Sequence, residues 1–478
     1  MPLRDPWSES DRYVPRTVVQ PLQRVLRHEA AGGVVMLVAA AVAIVWANSP
    51  WSASYVEVWH TPLRVELGGL LHLDHLSLQA WVNDALMTLF FLLVGLEIKR
   101  EVVHGDLRDV RAVALPVIAA LGGMIVPAAI YAVLNAGGPG AGGWAVPMAT
   151  DIAFAVGIVT LLGTRVPLAA KVFLLTLAVA DDIGAIVVIA VFYSGDLSGG
   201  WLACAAAALG LIFLLRRGDV QSLAPYLAVG AFAWLALLES GVHATLIGVA
   251  LGLLTPAWPL RSPRLFPTAA RRVADQVEAA YYDRVLTRRE FAANEQRIAD
   301  VVRLAMFSTS PLERLERALS PWVAYVVIPV FALANAGVVF TGDAVAGIVT
   351  HPTTTGVILG LFAGKTVGVL GATALAVRLG IGRLPAGTTW RHALGLSAVA
   401  GVGFTVALFV TSLAFDSAAL ADAAKLGILV GSLLSGLAGY LLLRTAPRVV
   451  PSPPAEPAAN GRRSPPAADV RAIDVSMT

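Results

Sequence analysis

The chain has 478 residues, of which 57% are hydrophobic and only 14% charged, against roughly 45–50% and about 25% in a soluble domain. A mean hydropathy of +0.73 exceeds what an aqueous core can hide, which excludes an ordinary water-soluble protein and indicates a polytopic membrane protein. The net charge of +3 combines 31 arginines with four lysines; apolar stretches separate them, so they argue for no nucleic-acid partner, and charge position matters more than charge sum.

The leading charged segment, 1–30, is too long, and the apolar run after it too extended, for a cleaved signal peptide. Stretches of the roughly 17–25 residues that cross a bilayer follow at about 31–48, 77–96, 112–135, 143–163, 168–194, 199–215, 223–239 and 241–255, then at 319–341, 356–379, 393–415 and 421–443. They predict an all-α membrane protein of about twelve transmembrane helices, with spans 1–8 in 31–255 and spans 9–12 in 319–443. Between the first two spans, strand-like patches at 62–78 flank Gly68-Gly69 and predict a hairpin. Cys204 sits among alanines in an apolar run, which gives no disulfide framework and no thiolate metal site. In the segment 256–318 the stretch RRVADQVEAAYYDRVL places Val273, Val277, Tyr281 and Val285 near a period of four and predicts a helical insertion. The Pro- and Ala-rich tail in 444–478 cannot bury a core and is expected to be disordered.

Basic residues fix the expected orientation. Arg4, Arg12, Arg16, Arg24 and Arg27 precede the first span; Lys99, Arg100, Arg108 and Arg111 follow the second; Arg165 and Lys171 follow the fourth. Arg216 and Arg217 follow the sixth, eleven arginines lie in 256–318, Arg383 and Arg391 follow the tenth, and Arg444 and Arg448 follow the last, whereas the intervening loops hold only Arg64. This alternation predicts that both termini and the 256–318 insertion are cytoplasmic.

Against that apolar background, ionisable residues inside spans cost about 2.5–3.5 kcal/mol each on insertion scales and mark function by default. Asp84 lies in the second span, Asp151 in the fourth, Asp181 and Asp182 in the fifth, and Lys365 in the tenth. Lys365 is roughly 15 Å of helix from either end of its span, too deep to snorkel, so it needs an acidic or carbonyl partner at depth. Asp181 and Asp182 leave the helix about 100° apart, so that one can face a water-filled cavity while the other faces a neighbouring helix. Backbone breakers coincide with these charges. Pro147 and Thr150 precede Asp151, and Gly401, Gly403 and Thr405 occupy the centre of the eleventh span. Such breaks are tolerated at depth only beside a polar cavity. Spans 4 and 11 hold equivalent places in the triplets 3–5 and 10–12 but run in opposite senses, which predicts an inverted repeat whose broken helices meet at the midplane, with Thr150 and Gly403 beside the charges.

The stretches FFLLVGLEIKRE, PMATDIAFAVGIVTLL, LAVADDIGAIVVIAVFY, SGVHATLIGV, PWVAYVVIPVFALANAGV, GLFAGKTVGV and GVGFTVALFV, in this order between about residues 77 and 443, resemble the NhaA family of sodium/proton antiporters. The resemblance implies a core of spans 3–5 and 10–12, an interface domain from the others, a homodimer in the bacterial inner membrane, and exchange of Na⁺ or Li⁺ for protons without a cofactor. It also implies that Asp182 is the principal ligand of the transported cation, with Asp181 beside it paired to Lys365, and that Asp151 is the carboxylate at the crossing of the broken spans. Glu97 and His243 match positions that the family associates with pH response. The 256–318 segment is longer than the family's usual connection.

Competition for oxygen ligands accounts for such an exchange. A carboxylate removed from water holds its proton more firmly; once ionised it accepts a dehydrating cation instead, and the two do not share it. Release of a further proton when the cation disrupts an Asp181–Lys365 pair would make the exchange electrogenic. Rival readings fit less well. An intramembrane aspartyl protease carries Gly-x-Gly-Asp, whereas Asp181 follows Thr176-Leu177-Ala178-Val179-Ala180; a retinal pump expects seven spans with the lysine in the last. The alternative that shares these charges is a proton-coupled transporter of another small solute.

Overall fold

The computed structural model describes residues 31–447, apart from 64–65, 68–70, 73–75, 106–109, 196, 219, 221–222, 260–264, 284–287, 341–347 and 349. The expectations for 1–30, for Gly68-Gly69 and for most of the tail, 448–478, lie outside the described residues.

Helix forms wherever the sequence is apolar on all sides, because only a helix satisfies every backbone group within one segment in lipid. Helices α1 (Ala31–Ala47) and α2 (Ser52–His60) meet at 115°. After them come α3 (Leu78–Val103), α4 (Val110–Leu134), the 3-10 helix Ala141–Met148, α5 (Ile152–Leu161), α6 (Leu168–Phe192) and α7 (Gly199–Arg217). Two shorter helices, α8 (Leu223–Leu238) and α9 (Leu246–Leu254), complete the first half. Helices α10 (Leu265–Asp283) and α11 (Arg288–Phe307) form the insertion. The second half consists of α12 (Pro311–Asn335), α13 (Pro352–Arg378), α14 (Trp390–Val399), α15 (Phe404–Ala414) and α16 (Ala418–Thr445).

Among the described residues, eight helices are long and apolar enough to cross a bilayer, or ten if each bent pair counts as one span. The expected twelve therefore included two segments that fall short: α8 has 16 residues and α9 only 9. The apolar run at 241–255 is shortened from within, since Gly241 adopts φ 80° and the backbone turns through Ser240–His243 before α9 begins. The strands Glu66–Leu67 and Leu71–His72 form a small antiparallel sheet in the predicted hairpin region. In the insertion, the sequence drew attention to one helical stretch and the structure contains two helices, packed against each other.

Close packing rests on glycine. On α13, Gly360, Gly364 and Gly368 recur every four residues, and a Cβ on any of them would strike Pro147, Pro127 or the Gly122 carbonyl respectively. A π-helical turn at Gly360–Gly364 rotates the helix just before Lys365. Small residues on one face let helix backbones approach in a setting where lipid offers no hydrophobic drive to associate. The same device joins α9 to α3, where Gly248 and Gly252 lie against Thr88 and Gly95.

The insertion leaves the bundle through a closed neck. Leu312 N–H donates to the Pro256 carbonyl at 3.1 Å, Ala257 and Leu312 are buried against Leu96, and Arg100 at the end of α3 forms an ion pair with Glu316.

Candidate functional site

Two helix interruptions cross in the centre of the bundle. Between Met148 and Ile152 the chain is extended, with Asp151 at φ −81°, ψ 102°. Between Val399 and Phe404 it unwinds again, and α14 and α15 are bent by 44°. The two segments are joined directly: Asp151 N–H donates to the Val402 carbonyl at 2.7 Å, and Thr150 Oγ1 donates to the Ala400 carbonyl at 2.8 Å. A Cβ on Gly403 would lie 2.9 Å from the Ala149 carbonyl and 2.8 Å from Leu361, so only glycine permits this approach.

Asp151 closes the N-termini of both inner helix halves. Its Oδ1 accepts Phe154 N–H at 3.0 Å; its Oδ2 accepts Thr405 N–H at 3.1 Å and the Thr405 hydroxyl at 2.6 Å. The first turn of a helix presents unpaired N–H groups and a partial positive charge, and a carboxylate answers both. Here one carboxylate serves α5 and α15 together. Ser432 on α16 accepts Gly403 N–H at 3.3 Å, and Ser435 donates to the Leu361 carbonyl at 3.4 Å.

The opposite polarity is handled by Lys365. Its buried Nζ donates to Asp181 Oδ2 at 2.5 Å and to Thr150 Oγ1 at 3.0 Å, and Thr150 passes that contact to the Ala400 carbonyl at the end of α14. The lysine stem runs across Gly123 of α4, where an added Cβ would lie 3.7 Å from its Cδ. Asp181, Asp182, Asp151 and Lys365 are all buried, at 0%, 5%, 2% and 0% exposure, so their interactions are little weakened by water.

The two neighbouring carboxylates differ. Asp181 gives one oxygen to Lys365, while its Oδ1 and that of Asp182, both buried, accept no hydrogen bond from the described residues. Asp182 lies within electrostatic reach of Asp181, Glu97, Asp151 and Lys365. Carboxylate oxygens without donors suit a hard monovalent cation as transported substrate, since such ions take oxygen ligands, or else a proton.

Other residues singled out by the sequence lie outside the crossing itself, although Glu97 remains within electrostatic reach of Asp182. Glu97, half-buried on α3, interacts with Arg100, Glu101 and Glu316 at the neck of the insertion. His243 bonds through Nε2 to the Tyr193 carbonyl at 2.7 Å, and the Tyr193 hydroxyl donates to the Gly142 carbonyl at 2.8 Å; this links the start of α9 to the 3-10 helix before the crossing. Asp84 lies in a π-helical turn, Val82–Leu86, and its carbonyl, not its carboxylate, accepts Thr88 and Trp234. Sequence reasoning passed over Ser432 and Ser435. Their spacing of three on an otherwise apolar helix, placing both on one face, was the available signal.

Fold and site together define a class: a helical membrane carrier, with two interrupted helices crossing beside a buried cluster of carboxylates and a lysine. A family model described as Na⁺/H⁺ antiporter 1 matches residues 23–443. The chain is 48% identical over 442 residues to the Na(+)/H(+) antiporter NhaA of an Anaeromyxobacter species, covering 92% of this chain and 94% of the relative. It is 46% identical over 440 residues to the Na(+)/H(+) antiporter NhaA 2 of Sorangium cellulosum, covering 91% and 92%. With the corresponding protein of Rhodopirellula baltica the identity is 46% over 431 residues, covering 90% and 95%. The chain belongs to the NhaA family of sodium/proton antiporters.

The double cap gives a prediction. Thr405→Val removes the hydroxyl donor to Asp151 and leaves the backbone donor, a loss of about 1.5–3 kcal/mol for a bond to a charged acceptor. The thermal midpoint of the purified variant should fall, and Thr405→Ser should restore it; an unchanged midpoint in the valine variant would show that the hydroxyl does not hold the crossing.

Proposed function

We infer that the chain exports intracellular Na⁺ or Li⁺ in exchange for external protons, by alternating access, with Asp182 as principal cation ligand and Asp181 as its partner. The observation that carries this reading is that each carboxylate keeps a buried Oδ1 without a donor, while Asp181 alone is tied through its other oxygen to Lys365, which leaves Asp182 the freer of the two. A proton or a cation satisfies such an oxygen, and one excludes the other. Asp151 and Lys365 supply the fixed charges that allow two broken helices to meet, with Thr150 and Gly403 making the close contacts. The protein acts in the bacterial inner membrane with both termini cytoplasmic, it is a carrier and not an enzyme, and it needs no cofactor. Residues 256–318 form a cytoplasmic insertion. Glu97 and His243 adjust the response to pH, the former from the insertion's neck and the latter through Tyr193.

Asp182→Asn should abolish sodium-dependent proton flux in proteoliposomes while the protein still inserts and folds. In the wild type, competition requires half-saturating Na⁺ to rise as pH falls, by up to about tenfold per pH unit where the protonated form predominates. Flux that is driven by a proton gradient yet indifferent to Na⁺ and Li⁺ would favour a proton-coupled carrier of another solute.

Lys365 separates a proton relay from a clamp. If its ammonium releases a proton when the cation displaces it from Asp181, Lys365→Arg, which does not deprotonate in the working range, keeps the pair and loses membrane-potential-dependent transport. Arginine transport equal to wild type in both potential and pH dependence would establish the clamp. Lys365→Ala leaves Asp181 without its cation and should lower stability by about 3–5 kcal/mol, the usual effect of breaking a buried pair.

The functional unit is a homodimer joined through the Glu66–Leu67 and Leu71–His72 hairpin, each strand of which has one edge without a ladder partner in the two-stranded sheet. Deleting the hairpin should shift cross-linked dimers to monomers and leave exchange largely intact; dimers that persist would move the contact elsewhere.

A further inference from the structure

Helices α10 and α11 enclose an apolar groove of about 430 Å³ lined by Val273, Val277, Ile298, Val301 and Val302, with Glu278 at its edge. Ile298 and Val302 are 48% and 53% exposed. We propose that this groove is the docking site for the chain's own C-terminal segment, Asp469–Thr478, which lies outside the described residues.

Three observations favour that occupant. The first is composition: from Pro451 to Ala468 the tail contains no aliphatic or aromatic residue larger than alanine except proline, whereas Val470, Ile473, Val475 and Met477 follow within a few positions. A polar Pro-rich spacer ending in an apolar cluster has the form of a tethered ligand. At helical spacing Val470, Ile473 and Met477 share one face, the anchor pattern by which a short helix fills a groove between two others.

The second is placement. Arg100, at the end of α3, pairs with Glu316 at the base of the insertion. From Arg100 the chain crosses the bundle through α4 and returns through the 3-10 helix and α5 to Arg165, so Arg100 and Arg165 lie on the same face. Arg165 donates to the Arg444 carbonyl at 2.7 Å, so α16 ends on that face too. The tail therefore starts on the side of the membrane from which the insertion projects. Residues 448–469, extended at ~3.1 Å per residue, reach roughly 70 Å, well beyond the ~30 Å length of either insertion helix. A tether of this kind holds its end at an effective concentration of up to about millimolar.

Charge is the third. Glu278 borders the groove, and the exposed surface of the two helices carries Asp275, Glu295 and Asp300 among Arg271, Arg272, Arg297 and Arg303. Anionic lipid would favour a uniformly basic surface; a surface of mixed charge suits a segment that itself carries Asp469, Arg471 and Asp474.

The test uses the full chain in proteoliposomes with Cys204→Ala as background. An Ile298→Cys, Ile473→Cys pair should form an intrachain disulfide at least tenfold faster than an Ile298→Cys, Ala458→Cys pair on the spacer, at a rate independent of protein concentration. Equal rates, or links only between two chains, would overturn docking in cis. Hydrogen exchange provides a readout without cysteines. Removing residues 451–478, or introducing Val470→Asp with Met477→Asp, should accelerate exchange in α10 and α11 and leave α6 and α15 unaffected, and adding a peptide of residues 466–478 to the truncated protein should restore protection. Protection of α10 and α11 that is unaltered by tail removal, or that follows the anionic lipid content of the vesicles, would assign the groove to another occupant.

Discussion

The fold depends on a single carboxylate. Asp151 caps α5 and α15 at once, which is what allows two helices to break in the middle of a membrane protein. Four helix ends meet there, and each carries backbone groups that lipid would leave unsatisfied. Asp151 answers the two N-terminal ends, and the line from Lys365 through Thr150 to Ala400 answers a C-terminal one. Close contact at Gly403 and the Asp151–Val402 bond then hold the interruptions against each other.

That frame separates charges whose oxygens or donors are taken up by the architecture from carboxylate oxygens left without a donor, Oδ1 of Asp181 and of Asp182. Asp151 uses both oxygens on helix ends, and Lys365 divides its donors between Thr150 and Asp181. Asp182, one residue along from Asp181, is a partner of neither. The adjacency matters because the two side chains diverge by about 100° around the helix, which lets one carboxylate bound to Lys365 and one that is not share a few ångströms of backbone. The glycine ladder of α13 serves the same end: by bringing α13 against α4, it puts Lys365 deep enough to reach Asp181.

How much of this could be read in the sequence follows from cost. A charge in an apolar run is expensive, so Asp151, Asp181, Asp182 and Lys365 stand out, and Pro147, Gly401 and Gly403 mark helix breaks for a similar reason. Hydroxyl groups give no such signal, since a threonine or serine in a span can bond to its own helix, as Thr373, Ser397 and Thr411 do with the carbonyl four residues back. Thr405 stands out only by its place among the glycines of the eleventh span and Ser432 only by its spacing from Ser435, and it is the third dimension that assigns their hydroxyls to the crossing. Spans were overcounted in length around 241–255 because hydropathy averages across Gly241, whose positive φ turns the chain. In the insertion, the second helix escaped notice because its apolar face is interrupted by polar Asn294, which is nonetheless buried.

The neck at Pro256 and Leu312 has a consequence for how such a protein accommodates change. Because a backbone hydrogen bond already brings the two ends of the insertion together, its length is decoupled from the helices on either side. Lengthening a closed loop adds only about 0.6 kcal/mol per doubling, so residues between the ends can be gained, lost or exchanged while α9 and α12 keep their positions. The segment is a graft site, where sequence can drift far without the bundle having to repack.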